Sequence, residues 1–290
     1  MSGANAANAS NANDSSSGIG TVENHRNREK GLLVYPVNSR RSGGLSIGIN
    51  LFPDRKVCLF DCAYCEVFPF NSDNNFSLEK MEGDLLIALS EAKAKDIPVK
   101  DICFSGNGEP TQSPFFASAL REVFKIRNKH SKDADLVLIT NGTGLLYKET
   151  FELLSTCARE ERGLHIWLKI DGGTPHWYAK MNRSQIPHES ILNCIRDFSK
   201  TAPIIIQTMI CMVDEEAPSP VEAKAWEALI REIAVNTYDL RAVQIYGKAR
   251  PASEDPLASS LPVEFLEARA DSLRAVLAAA GKDINVRVYP

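Results

Sequence analysis

The sequence predicts an α/β fold: a partial (β/α)6 TIM-like barrel of parallel strands, with a C-terminal extension of helix and strand. Three observations predict it. Short, β-branched runs alternate with longer amphipathic stretches from residue 45 to about 247. Most of those runs are nearly continuous in apolar character, as strands covered on both faces are. Each is followed by a polar or glycine-bearing turn, and the C-terminal strand ends are where such folds keep their chemistry.

The elements follow in order. Residues 2–19 contain only Ser, Gly, Ala, Asn, Asp and Ile, too little apolar surface to offset the entropy of ordering, so a disordered tail is expected over 1–30. The tail lacks the basic start and apolar block of a signal peptide. One domain is expected over 31–290, with its barrel core at about 45–247 and an extension at 248–290. Strands are expected at 45–52, 101–105, 135–140, 164–170, 203–210 and 242–246, with a closing strand at 284–288. Leu78, Met81, Leu85, Leu89 and Ala92 recur at helical spacing. Ser219-Pro220-Val221-Glu222 reads as a capping box with Pro at the first helical position. A last helix from Pro262 turns Phe265, Leu266, Leu273, Val276 and Leu277 inward and stops at Gly281. Six βα units imply right-handed crossovers. A closed eightfold barrel needs about two more.

Composition narrows the function. Thirty-three Lys and Arg against 37 Asp and Glu give a net charge of −4, which exerts no general pull on nucleic acid or anionic lipid. The seven cysteines, an odd number in so long a chain, are not a secreted disulfide framework. No apolar run approaches a membrane span. A cytoplasmic location follows as an expectation. The segment 25–41, with Arg26, Arg28, Lys30, Arg40 and Arg41, is read as a solvated linker in preference to a phosphate contact.

The most specific motif is Cys58-Leu-Phe-Asp-Cys62-Ala-Tyr64-Cys65, directly after the first expected strand. C-x3-C-x2-C sets three thiolates at three corners of an iron–sulfur cube and leaves the fourth iron without a protein ligand, open to a small molecule. A structural zinc site normally closes four ligands in paired knuckles, and no second C-x-x-C or H-x3-H follows. Cys103, Cys157, Cys194 and Cys211 are spread through expected strands and helices and read as core residues.

If the cysteines mark the mouth, partner residues belong at the other strand ends. The second strand ends in Ser105-Gly106-Asn107-Gly108-Glu109-Pro110, whose glycines admit close backbone approach and whose Glu109 suits an ammonium group. It is not a phosphate loop, because no Gly-Lys-Ser/Thr follows. The third ends at Asn141. Lys169 and Asp171 close the fourth and share a face, suiting a ligand carboxylate and ribose hydroxyls. Gln207 lies within the fifth, and Tyr246 ends the sixth. Tyr178, Cys211 and Lys248 are further candidates by position, without a distinguishing context.

With these residues the sequence resembles the radical S-adenosylmethionine (SAM) superfamily. The resemblance implies that Cys58, Cys62 and Cys65 bind one [4Fe–4S] cluster whose free iron chelates SAM. It further implies that Tyr64 lies near adenine through its backbone and that the 106–110 turn holds the SAM amine. The expected activity is reductive cleavage of SAM to a 5′-deoxyadenosyl radical that abstracts hydrogen from a substrate, in an oxidoreductase or transferase reaction. The reductant would be a flavodoxin or ferredoxin. Gly43-Gly-Leu-Ser-Ile-Gly-Ile-Asn-Leu-Phe-Pro53 and Tyr246-Gly-Lys-Ala-Arg250-Pro251 are similar to the branch related to wyosine synthases. Those enzymes use upstream cysteines for a second cluster, and none precedes Cys58 here, so the wyosine reaction itself is not expected. Three classes remain: a radical enzyme acting on a small molecule, one acting on RNA or protein, and a non-catalytic iron–sulfur or zinc module.

Overall fold

The computed structural model describes residues 31–67, 69–249 and 258–290. The expected tail and Arg250-Pro251 lie outside the described residues. The strands are β1 (Val34–Ser39), β2 (Gly44–Ile49), β3 (Val99–Phe104), β4 (Asp135–Thr140), β5 (Leu164–Lys169), β6 (Pro203–Ile210), β7 (Met212–Val213), β8 (Asp239–Gly247), β9 (Ala258–Ser259) and β10 (Asn285–Tyr289). The helices are α1 (Leu78–Ala94), α2 (Phe116–His130), α3 (Lys148–Arg159), α4 (Pro175–Asn182), α5 (His188–Ser199), α6 (Pro220–Asn236) and α7 (Val263–Ala279).

Eight strands form one curled sheet, a half-barrel, in the order β1-β2-β3-β4-β5-β6-β8-β10. Seven run parallel and β1 is antiparallel to β2. The closing strand at the C-terminus therefore belongs to the main sheet, paired with β8 from Asn285↔Ala242 to Tyr289↔Tyr246. With α7 between them, β8 and β10 complete one more βα unit.

Period two sorts the two faces. Ile47, Ile49, Ile102, Phe104, Leu136, Leu138, Ile166, Leu168, Ile204, Ile206, Val243 and Ile245 are all buried and join the helices in one core. The opposite, concave face carries Cys103, Val137 and Trp167 as a small apolar group, with Ser46, Asp101, Lys169, Gln207, Gln244 and Tyr246 around it. Helices thus cover one face only, which corrects the expectation that both faces are apolar. Runs such as Ile204-Ile-Ile206 read as continuous because their inward partners are few.

The helix ends follow their signals. Ser77 caps α1 by accepting from Lys80 N, and Ser219 caps α6 by accepting from Glu222 N. The reciprocal half of the expected capping box is absent. The buried Glu222 carboxylate accepts instead from Gly173 N, Thr174 N and Thr174 Oγ1, tethering the loop after β5.

The reading of 25–41 as a linker is also corrected where the chain is described. Val34–Ser39 pairs with β2 along its whole length, and Arg41, in the hairpin turn, donates from Nη1 to Gln207 Oε1 on β6 at 3.3 Å. The strand escaped notice because Pro36 and Asn38 interrupt its pattern.

Candidate functional site

The cysteine loop begins where β2 ends. Asn50, buried, accepts from Phe52 N and Asn107 N on Oδ1 at 3.1 Å each and donates to Leu32 O, so the strand stops at Ile49 and the chain turns over the C-terminal end of the sheet. Val57 then pairs with the turn after β3: Glu109 N donates to Val57 O at 2.8 Å and Val57 N to Asn107 O at 3.3 Å. The glycines serve this contact. Gly106 has φ +123°, and a Cβ there would press on Asn50; one on Gly108 would meet the Val57 carbonyl. The Gly-Asn-Gly turn is therefore the brace that positions Cys58, the residue after Val57. Asn107 adds a second tie, Nδ2 to Phe52 O at 3.1 Å.

Further along, Ala63 N donates to Met181 O and Asp61 N to Asn182 O, so α4 anchors the middle of the loop. Cys58, Cys62 and Cys65 are free and half-buried. Asn141 Nδ2 and Phe60 N each lie 3.4 Å from Cys58 Sγ, and Asn182 Nδ2 lies 3.5 Å from Cys62 Sγ. Burial pushes the thiols up, Cys58 to about 12 and Cys62 to about 11. Thiolates here thus need a positive partner beyond these donors. Iron supplies one, so the residues fit the implied cluster. Among the described residues no three His, Cys, Asp or Glu side chains group closely enough for a single metal ion. A cube takes each thiolate on a separate iron and does not require that closeness.

Glu109 is buried, and burial raises its pKa against the pull of its hydrogen bonds. Oε1 accepts from Thr111 N, Thr111 Oγ1 and Thr140 Oγ1, and Oε2 from Asn141 N at 2.8 Å. The carboxylate ties the loops after β3 and β4 together, with Pro110 opening a short 3-10 turn behind it; the amine contact expected of it is left to Oε2. Tyr64 donates its hydroxyl to Asp171 Oδ2, which also accepts from Asn182 Nδ2 at 2.9 Å, while Asp171 Oδ1 accepts from Met209 N. Lys169 Nζ donates to Tyr246 Oη at 2.7 Å and sits 4.4 Å from the Tyr64 ring centroid. Burial opposes its charge, but Tyr246, Asp171 and Cys62 outweigh that and raise its pKa. Gln207 Nε2 donates to Gln244 Oε1 at 2.7 Å.

The cysteine loop, the 106–110 turn, Asn141, Lys169, Asp171 and Tyr246 are thus tied to one another by these contacts. Tyr178 donates to Ile186 O and stacks on His188, and Cys211 is buried with Met181 and Met209. Lys248 is buried. Sequence reasoning missed Asn50 and Asn182. Asn50 had a signal, a polar residue ending an apolar strand just before the cysteines; Asn182 had none.

In chains of known structure the same architecture recurs. Streptococcus suis SuiB bound to S-adenosylmethionine superposes with a TM-score of 0.62 over 84% of this chain and 50% of its own, at 13% identity. The chain shares the half-barrel fold of that SAM-bound protein. TYW1 with a lysine-pyruvate adduct bound matches 79% of this chain and 73% of its own, with a TM-score of 0.53 and 15% identity. The AdoMet-bound enzyme anSMEcpe matches at 0.52 over 83% and 63%, with 16% identity. Among curated sequences, a UPF0026 protein of Synechocystis sp. is 30% identical over 185 residues, 61% of this chain and 64% of its own length. Another of Helicobacter pylori is 26% identical over 114 residues, 39% and 35%. The chain thus spans less than two thirds of these relatives and about half of SuiB. No protein-family model matches it.

Proposed function

We propose that the protein is a radical SAM enzyme that holds one [4Fe–4S] cluster on Cys58, Cys62 and Cys65 and acts on a small molecule. The observation that carries this reading is the placement of three free thiols at the mouth of a half-barrel, two of them receiving amide N–H donors from Asn141 and Asn182. When bound, cluster and SAM supply reductive cleavage of the sulfonium and a 5′-deoxyadenosyl radical that removes a hydrogen atom from the substrate.

The chain's own residues bind, orient and exclude water. Asn141 and Asn182 donate to the Cys58 and Cys62 sulfurs, and with a cluster held on those cysteines the two donors would raise its potential relative to a bare thiolate set. Lys169, a cation on the concave face, suits the SAM carboxylate. Asp171 aligns Tyr64 and suits ribose hydroxyls. The carbonyls of the 106–110 turn and Glu109 Oε2 suit the amine. Ala63, Trp177, Met181, Met209 and Cys211 form an apolar wall beside Tyr64, which keeps water from the reacting centre. A flavodoxin or ferredoxin suits the role of reductant, and a cytoplasmic location suits cysteines kept free of disulfides.

An RNA substrate is less favoured, because Arg41, one of the basic residues before β2, is turned to Gln207 rather than outward. The test is spectroscopic. Anaerobically reconstituted protein is expected to hold about four iron per chain, and its reduced electron paramagnetic resonance signal is expected to shift when SAM is added. Zinc in place of iron, or a signal indifferent to SAM, contradicts the proposal.

A further inference from the structure

The concave face below the cysteine loop is rich in donors without acceptors. Strand register places Lys169, Gln207 and Gln244 side by side on β5, β6 and β8. The polarity of this row is fixed by its end. Arg41 can only donate, so Gln207 turns its oxygen to Arg41 and its NH2 to the Gln244 oxygen. That leaves Gln244 Nε2, at the end of the row away from Arg41, with no hydrogen-bond acceptor among the described residues. On β5, Trp167 Nε1 is buried without a partner, and the Arg41 guanidinium lies over both the Trp167 and Tyr246 rings, at 5.9 and 5.0 Å.

Neither cation is neutralised by contact. Among the described residues no carboxylate lies in ion-pair range of Arg41 or Lys169. Asp171 has both oxygens engaged, and Asp101, the carboxylate whose field Arg41 feels, is held by Ser46. A buried donor without an acceptor carries a desolvation cost that a ligand can relieve.

We infer that Arg41, with Gln244 and Trp167, forms the recognition site for a carboxylate on the substrate, which is therefore an organic acid. A planar guanidinium lying over an indole whose N–H has no acceptor offers charge and a donor to the two oxygens of a carboxylate, which it matches better than a neutral group. The inference rests on the radical SAM reading for the meaning of the site. Tyr246 separates this half of the face from Lys169, which leaves Lys169 to the cofactor and Arg41 to the substrate.

The test uses the full chain and succinate as the probe, with succinamide and inorganic phosphate as controls, read by calorimetric titration. The wild-type chain is expected to bind succinate saturably and succinamide not at all. Arg41→Gln is expected to weaken succinate at least about tenfold, as loss of a charge-assisted pair does, and Gln244→Leu to weaken it by a smaller factor. Arg41→Lys, which keeps the charge and loses the fork, serves if Arg41→Gln does not fold, and is expected to fall between. Absence of saturable succinate binding, equal binding by wild type and Arg41 variants, equal binding of succinamide, or binding of phosphate in preference to succinate each overturns the inference. Cys62→Ala, unable to hold the cube, is expected to keep succinate binding. Loss of SAM binding in reconstituted wild type with succinate binding intact counts against the cofactor reading alone.

Discussion

Asn182 Nδ2 donates to Asp171 Oδ2 at 2.9 Å, and the same amide lies 3.5 Å from Cys62 Sγ. One side chain at the end of α4 thus joins the rim of β5 to the cysteine loop. Asn182→Leu keeps the volume and removes the donor. It is expected to destabilise the cluster-free chain by about 1.5–3 kcal/mol, the range for a hydrogen bond to a charged group, measured by urea unfolding. A change under about 0.5 kcal/mol contradicts the role given to Asn182.

The cysteines divide by position. Cys58→Ala, Cys62→Ala and Cys65→Ala are each expected to abolish the brown absorbance of the reconstituted protein, with iron falling from about four per chain to near zero. Cys211→Ala, deep in the apolar wall, is expected to keep both. Iron retained in any of the first three removes that residue from the ligand set.

Gly106 has a φ of +123° and no room for a Cβ beside Asn50. Gly106→Ala is expected to cost about 1–3 kcal/mol and to lower the yield of reconstituted cluster, since the turn braces Val57. The check is thermal unfolding together with iron content. An unaffected melting temperature counts against the brace.

The loop after β5 carries a pH dependence. Burial holds the His188 imidazole below its ordinary value near 6.5. As pH falls through about 6.5, the unfolded chain takes up a proton before the folded one does, so stability present above that pH is lost below it. His188→Gln is expected to flatten the decline between about pH 7 and 5, by well under the ~1.4 kcal/mol per pH unit that one proton allows. It does not remove the decline, because His165 is also held low by burial. Identical slopes for the two proteins contradict the assignment.

The sheet was legible because nearly every parallel strand carries at least two β-branched or aliphatic residues at spacing two, as in Ile47 and Ile49 or Ile204 and Ile206; β3 has Ile102 and Phe104 instead. The mouth was legible because polar residues follow those runs directly. What escaped was made by long-range pairing. The strand Val34–Ser39 is an edge whose pattern is broken by Pro36, and it exists because β2 offers an unpaired flank. Glu222 looked like a local cap until the fold brought Gly173 and Thr174 to it. The Gly-Asn-Gly turn was read as a ligand cradle, and its contact with Val57 depends on how two separate loops meet.

The most direct measurement is liquid-chromatographic assay of 5′-deoxyadenosine after the anaerobically reconstituted chain is incubated with SAM and dithionite. Release of 5′-deoxyadenosine by the wild-type chain, with none from Cys62→Ala, is the result expected. A wild-type chain that carries the cube and leaves SAM intact contradicts the central claim.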